Sequence, residues 1–334
     1  MTDPTPTAPD SRLHTRFCDL VGVRHPIVQT GMGWVAGSRL TTATARAGGL
    51  GIIAAAPMTF DQMVTAIDEV RAATTEPFGV NLRSDAGDID RRVEHIITAE
   101  VRVASFAQAP DRCTVDRLRS AGVVVIPTIG ARRHAEKVAE WGVDAVIAQG
   151  AEGGGHTGAI PTSLLIPQVL DAIDLPVIAA GGFTDGRGLA AALAWGADAV
   201  AMGTRFLLTR DSDVPDSIKA IYLATPVTGT VVTQAVDGVP QRVVATPMVQ
   251  RLERSRLLAF PRAARNALRF RSLTGTPMSE LLAEGLRMKR SGDLTWGQVA
   301  MAANAPMLTR ATMVDGHPEV GILPTGQGVG SIDE

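Results

Sequence analysis

From His25 onward the chain alternates between two kinds of segment. Short runs dense in Val, Ile, Ala and other apolar residues read as strands: His25–Gln29, Leu50–Ala55, Phe78–Leu82, Arg102–Phe106, Val123–Ile129, Ala145–Gln149, Pro176–Ala180 and Ala199–Met202. Between them apolar positions recur every three or four residues, as at Met63, Ile67 and Val70 or Ala135, Val138 and Ala139, which places them on one face of a helix. The strands are apolar almost continuously, the mark of strands covered on both faces. Eight such units predict an α/β chain closed into a (β/α)8 TIM barrel, with a doubly wound open sheet as the competing arrangement.

The alternation stops after Arg205. TVVTQAVDGVPQRVV reads as a hairpin turning at Asp237-Gly238, and helical material follows from Pro247 to Lys289. The expected organisation is therefore a barrel of residues 13–212 and 301–330, a disordered tail over 1–12, and a mostly helical lobe over 213–300 covering the barrel mouth. The closing PTGQGVG is expected to return to that mouth.

Composition narrows the function classes. With a formal net charge of −2 and 45% hydrophobic residues, the chain has the balance of a soluble globular protein and none of the bulk charge of a polyanion binder. Cys18 and Cys113 lie far apart and outside any metal-ligating spacing, so two reduced thiols and no metal site are expected. The opening MTDPTPTAPDS has neither a basic start nor an apolar run, and nothing approaches the roughly 18 apolar residues of a membrane span, so a cytoplasmic protein without membrane insertion is expected. Charge is uneven in one place. Between Arg251 and Arg290, ten basic residues face only Glu253, Glu280 and Glu284, which reads either as a solvated helix face or as a patch for a phosphate-bearing substrate tail. Leu257, Leu258, Phe260 and Leu268 within the run argue for a packed helix and against a nucleic-acid arm.

Candidate chemistry gathers at the strand ends. The stretch AQGAEGGGHTG, Ala148 to Gly158, runs from the sixth strand into a glycine loop that presents His156, and glycines such as Gly154 and Gly155 allow close approach of backbone to a flat ligand. A turn carrying a solvent-exposed histidine is the alternative. In such barrels the active face lies at the C-terminal strand ends, with a phosphate site after the seventh and eighth strands. Ala180-Gly181-Gly182 and Gly203-Thr204 stand at those two places, each ahead of helical sequence whose first N–H groups lack partners. A phosphate-anchored ligand fits, and FMN has the single phosphate and planar ring. Thr30, Gly31, Met32, Asn81, Thr128 and Gln149 stand at other strand ends, where uncharged amides and hydroxyls suit a flavin ring, although Asn81 equally suits a loop cap. Glu152 is a candidate to orient His156 and Gln327 a candidate to reach the site from the terminal loop, while Trp34 and Trp296 belong to a groove or to the core.

The segments HPIVQTGM, AGGLGIIAAA, FGVN, VIAQGAEGGGHTG, VIAAGGFTDGRGLAAALAWGADAVAMGTRF and the terminal Gly326-Gln327 resemble the flavin-dependent barrel family of nitronate monooxygenases and FMN-containing enoyl-acyl-carrier-protein reductases. The resemblance covers almost the whole chain from Arg24 and implies FMN in the barrel, lined by Gly31-Met32, Asn81, Thr128, the Gly154 region, Gly181-Gly182 and Gly203-Thr204, with His156 at the catalytic position. Thr128 departs from the Lys usual in the nitronate enzymes, and a single Tyr222 departs from their several tyrosines. VVTQAVDGVPQRVV, LLAEGLRMKRSGDLTWGQVAMAANAPML and MVDG are similar to the branch acting on a hydroindanone carboxyl-CoA thioester in actinobacterial steroid ring C/D breakdown. That branch implies a CoA thioester substrate whose Cα–Cβ bond is dehydrogenated or reduced, with His156 as acid or base and the flavin N5 taking the hydride. Nitronate oxidation with O2 is the first alternative. A phosphate-binding barrel without flavin, or an acyl-CoA binding protein, is the second, although no strand end carries a Schiff-base Lys and Cys113 is not in the loop after the sixth strand.

Overall fold

The computed structural model describes residues 13–254 and 304–333. The expected tail over 1–12, residues 255–300 of the expected lobe, Trp296 and most of the basic run lie outside the described residues.

The strand-forming runs are β1 (Ile27–Gln29), β2 (Leu50–Ala54), β3 (Phe78–Leu82), β4 (Val103–Phe106), β5 (Val124–Ile129), β6 (Val146–Gln149), β7 (Gly155–His156), β8 (Val177–Ala180) and β9 (Ala199–Met202). All except β7 close a parallel barrel in chain order, β9 pairing back onto β1 through Ile27↔Val200 and Gln29↔Met202. The helices α2 (Ser38–Arg46), α3 (Phe60–Ala73), α4 (Ile89–Thr98), α5 (Arg112–Ser120), α6 (Arg132–Glu140), α7 (Thr162–Leu170) and α8 (Gly186–Ala194) connect the strands, and α1 (Arg16–Val21) precedes them. The expected closed barrel is thus present, with eight strands in place and their ends displaced by a residue or two.

Alternation along each strand splits the apolar residues between two cores. Leu50, Ile52, Val103, Val124, Ile126, Ile147 and Ile178 pack together inside the barrel, and Phe17, Cys18 and Val21 of α1 plug its N-terminal end. The intervening residues Ile53, Val80, Phe106, Val125 and Val146 pack outward with Met63, Ile67 and Val70 of α3 and their equivalents. Burying each such side chain contributes about 1.5–3 kcal/mol before the entropy of ordering the chain is subtracted. Toward the C-terminal strand ends the inward series changes character. Val103 is followed by Ser105, Ile126 by Thr128 and Ile147 by Gln149, and Asn81 donates to Ser105 Oγ at 3.4 Å. The barrel therefore opens on a polar, uncharged layer.

After β9 come α9 (Thr204–Leu207), α10 (Asp216–Leu223), and the antiparallel strands β10 (Thr230–Thr233) and β11 (Gln241–Val244), with Asp237-Gly238 in the connection between them, as the sequence suggests. β7 adds to the other edge of β11, giving a small second sheet β10-β11-β7. Sequence offered no sign of β7, because a two-residue strand in a glycine loop has no alternation of its own and is made by its partner. Beyond the hairpin lie α11 (Pro247–Arg254) and α12 (Asn304–Met313). Val249 and Leu252 of the first and Leu308 of the second share a small core with Val243 and Ile322. No helix among the described residues is long and apolar enough to cross a membrane.

The terminal segment runs beside β11: Val244 N donates to Leu323 O at 2.9 Å, Thr325 N to Arg242 O at 3.2 Å, and Val243 bridges Pro324. Tyr222, fully buried on α10, ties this segment down by donating its hydroxyl to Pro324 O at 2.9 Å, and burial pushes its pKa well above the ordinary phenol value. The single tyrosine is thus a core anchor. Tyr222→Phe leaves that carbonyl without its hydroxyl donor, and a loss of about 1–3 kcal/mol is expected, read as a lower urea midpoint with an unchanged slope.

Candidate active site

His156 is held from three directions. Its backbone sits in β7, in register with Gln241 of β11, while Gly155 pairs with Arg242. Its carbonyl accepts from Gln149 Nε2 at 2.8 Å, which fastens the loop to the top of β6, and the next residue, Thr157, donates its N–H to Pro240 O at 3.1 Å. Its ring Nε2 lies 2.7 Å from Asp237 Oδ2. Asp237 is only 7% exposed at its side chain whereas His156 is 59% exposed, so the carboxylate stands behind the imidazole and the rest of the ring is open. Among the described residues Asp237 is the functional candidate that sequence reading missed. The DG pair signalled only a turn, and nothing local to it points to a histidine on a distant loop.

Glu152, the acid nearest His156 in sequence, does something else. Its Oε2 accepts from Thr162 N at 2.9 Å and Thr162 Oγ1 at 2.7 Å, satisfying orphan donors at the start of α7. The expectation that Glu152 orients His156 is therefore corrected: the unpaired helix terminus takes the carboxylate, and Asp237 meets the ring. Arg242 clamps the two loops together, donating from Nε and Nη2 to Ala151 O at 3.1 and 3.0 Å and from Nη1 to Thr230 Oγ1 at 2.9 Å. Burial holds its pKa below the usual guanidinium value, with Glu152 pulling the other way.

The glycine triplet turns out to serve chain packing first. A Cβ on Gly153 would lie 2.6 Å from Gln149 Nε2, and one on Gly154 2.6 Å from Gly326 N and Thr325 C. Only Gly155, at φ +66, faces open space, so close approach by a flat ligand is a property of that one position.

The glycine loops after β8 and β9 are neighbours because those strands pair. Gly181 and Gly182 follow β8 and Ala180 with φ of +100 and +83, and Gly203 leads into α9. The terminal loop joins the start of α9 to the loop after β6: Gly326 N donates to Thr204 Oγ1 at 2.9 Å and Gln327 N to Glu152 O at 2.8 Å, opening a 3₁₀ turn over Gln327–Ser331. At the end of β1, Thr30 N donates to Met202 O at 3.2 Å, and Met32 lies against Gly203, where a Cβ would come 3.3 Å from its sulfur. Gly31 crosses Asn81 so closely that a Cβ would sit 2.5 Å from that of Asn81. Thr128 belongs to the polar inward layer already described. Trp34 adopts φ +66, packs against the small core that holds Val35, Leu207, Tyr222 and Leu323, and has the Arg310 guanidinium 5.6 Å from its ring. Among the described residues no cluster of His, Cys, Asp and Glu could hold a metal ion.

A closed parallel barrel whose C-terminal face carries adjacent glycine loops and a carboxylate-backed histidine defines the class: a (β/α)8-barrel enzyme. Within that class the chain belongs to the nitronate monooxygenase family, whose model matches residues 14–90 and 84–334. It is 57% identical over 327 residues, 97% of this chain and 92% of the relative, to a Mycobacterium tuberculosis protein named (3aS,4S,5R,7aS)-5-hydroxy-7a-methyl-1-oxo-octahydro-1H-indene-4-carboxyl-CoA dehydrogenase. A Rhodococcus jostii protein of the same name is 56% identical over 325 residues, again 97% of this chain and 92% of the relative. Among solved structures, FabK from Thermotoga maritima superimposes with a TM-score of 0.79 at 35% identity, covering 96% of this chain and 91% of that one.

Proposed function

We propose that this oxidoreductase dehydrogenates a bicyclic hydroindanone carboxyl-CoA thioester at Cα–Cβ, with FMN as its cofactor and His156 as the base. The observation that carries the substrate is the 56–57% identity, over 97% of the chain, to two proteins named as dehydrogenases of such a carboxyl-CoA thioester. The residues present fit a flavin. Ala180, Gly181, Gly182, Gly203, Thr204 and the loop at Gln327 would hold its phosphate, and Thr30, Gly31, Met32, Asn81, Thr128, Gln149 and Gly155 would face its ring. These groups bring hydrogen-bonding backbone and neutral polar side chains without adding charge at the ring. Bound FMN supplies the two-electron acceptor for the hydride leaving Cβ. The protein's own part is to hold the thioester over the open edge of His156 and to remove the proton that the carbonyl acidifies at Cα. Gln149 and the β7–β11 pairing fix the backbone that carries that imidazole and Asp237 meets its ring, the kind of fixing that proximity requires.

Anaerobic mixing of the FMN-loaded protein with the CoA thioester named for the relatives is expected to bleach the flavin absorbance within the time of turnover. Propionate 3-nitronate under the same conditions is expected to leave it yellow. Rapid flavin reduction with the nitronate in the anaerobic mixture, with oxygen uptake once air is admitted, and neither with the thioester, would assign the chain to nitronate oxidation instead.

A further inference from the structure

We infer that Asp237 is the positioning residue of the site: it locks the neutral His156 ring with its proton on Nε2, which makes Nδ1 the atom that accepts the substrate proton. This inference rests on the reading of His156 as the base. An ionised carboxylate only accepts hydrogen bonds, so the ring nitrogen 2.7 Å from Asp237 Oδ2 must carry the hydrogen. A neutral imidazole has one N–H, and the lone pair is then left on Nδ1. The other carboxylate oxygen is also engaged, Oδ1 accepting from Val239 N at 3.0 Å, so the acid has no freedom to swing away.

The hairpin that carries Asp237 also carries the backbone partners of the histidine. Gln241 pairs with His156, Arg242 with Gly155, and Pro240 O receives Thr157 N. Ring and backbone are thus held by one piece of chain, and Arg242 ties that piece to Ala151 in the same loop. Such double fixing orients the ring within hydrogen-bond tolerance, as second groups do in carboxylate-backed histidine sites generally. In the proton transfer the Cα–H bond breaks and an Nδ1–H bond forms. The electron pair stays with carbon and becomes part of the new double bond as the Cβ–H bond breaks and its hydride goes to the flavin proposed above; the Nε2–H bond remains intact, and Asp237 remains a carboxylate that stabilises the imidazolium.

The test is ¹⁵N NMR of the FMN-loaded protein labelled at its six histidines, at an alkaline pH where neutral imidazole is observed, with His156→Ala supplying the assignment. The expected wild-type spectrum has a pyrrole-type Nε2 and a pyridine-type Nδ1 at His156, and in Asp237→Ala that preference is lost. Turnover of Asp237→Ala is expected to fall about 10- to 10³-fold, with flavin content retained and KM changed far less. Asp237→Glu should recover part of it, and adding Asp237→Ala to His156→Ala should cost nothing more. If the alanine variant does not fold, Asp237→Asn, which keeps the shape and removes the charge, is expected to show the same loss of tautomer preference. A wild-type His156 protonated on Nδ1, or an Asp237 variant with undiminished turnover beside an inactive His156→Ala, overturns the inference alone. Undiminished turnover of His156→Ala overturns the reading beneath it.

Discussion

His156→Ala is expected to lower turnover of the CoA thioester by about 10²- to 10⁴-fold while FMN stays bound, the range that loss of a positioned acid or base produces. The side chain is 59% exposed, so its removal opens no core cavity. The backbone of β7 keeps its pairing with Gln241 and Arg242 whichever side chain it bears. What changes locally is Asp237. It loses the ring while retaining, among the described residues, the Val239 N–H, and a nearly buried carboxylate that loses a partner costs about 1–3 kcal/mol. Flavin content and the unfolding midpoint therefore belong beside the rate. A variant that is yellow, folded and slow is the expected result; one that is yellow, folded and as fast as wild type removes His156 from the chemistry.

The barrel was legible because its signal is redundant. Each of the eight strands is apolar over most of its length, each is followed by a helical run, and no single error of a residue or two changes the count. The glycine loops at Gly181 and Gly203 were legible for a similar reason, since their place in the chain order fixes their place in a barrel. What sequence could not supply was the pairing of distant chain. Gly155–His156 becomes a strand only because β11 lies beside it, and Asp237 becomes the histidine's partner only because the hairpin turns over that strand. Nearness in sequence misled in the case of Glu152, four residues from His156, because the first N–H groups of α7 were nearer in space and lacked acceptors. The run Gly153–Gly155 misled more subtly. Two of its three glycines answer to Gln149 and to Thr325–Gly326, contacts that no local pattern announces.

Gly181→Ala is expected to be the most damaging substitution in the glycine loops after β8 and β9, and the neighbouring Gly182→Ala supplies the internal control. Both positions have positive φ, at +100 and +83, so alanine in either is strained by about 1–3 kcal/mol. The surroundings separate them. A Cβ on Gly181 would meet Gly153 N at 3.0 Å, Thr162 Oγ1 at 3.0 Å and Gly150 O at 3.1 Å, two of them backbone atoms that cannot turn aside. A Cβ on Gly182 would lie 3.5 Å from that of Glu152, an ordinary contact. Relief at Gly181 therefore has to move the loop from Gly150 to Gly153, and that loop is joined through Gln149 and Arg242 to His156 and the hairpin. Strain and displacement together make a loss of about 2–4 kcal/mol for Gly181→Ala against about 1–2 kcal/mol for Gly182→Ala, measured by urea denaturation of the apo proteins. The same displacement should couple the loop after β8 to His156. Gly181→Ala is expected to emerge from gel filtration with most of its flavin lost, and to turn over slowly even when excess FMN refills it. Gly182→Ala should be weaker in flavin retention alone, with turnover restored by added FMN. Equal behaviour of the two variants would mean that the loop after β8 yields without moving the histidine.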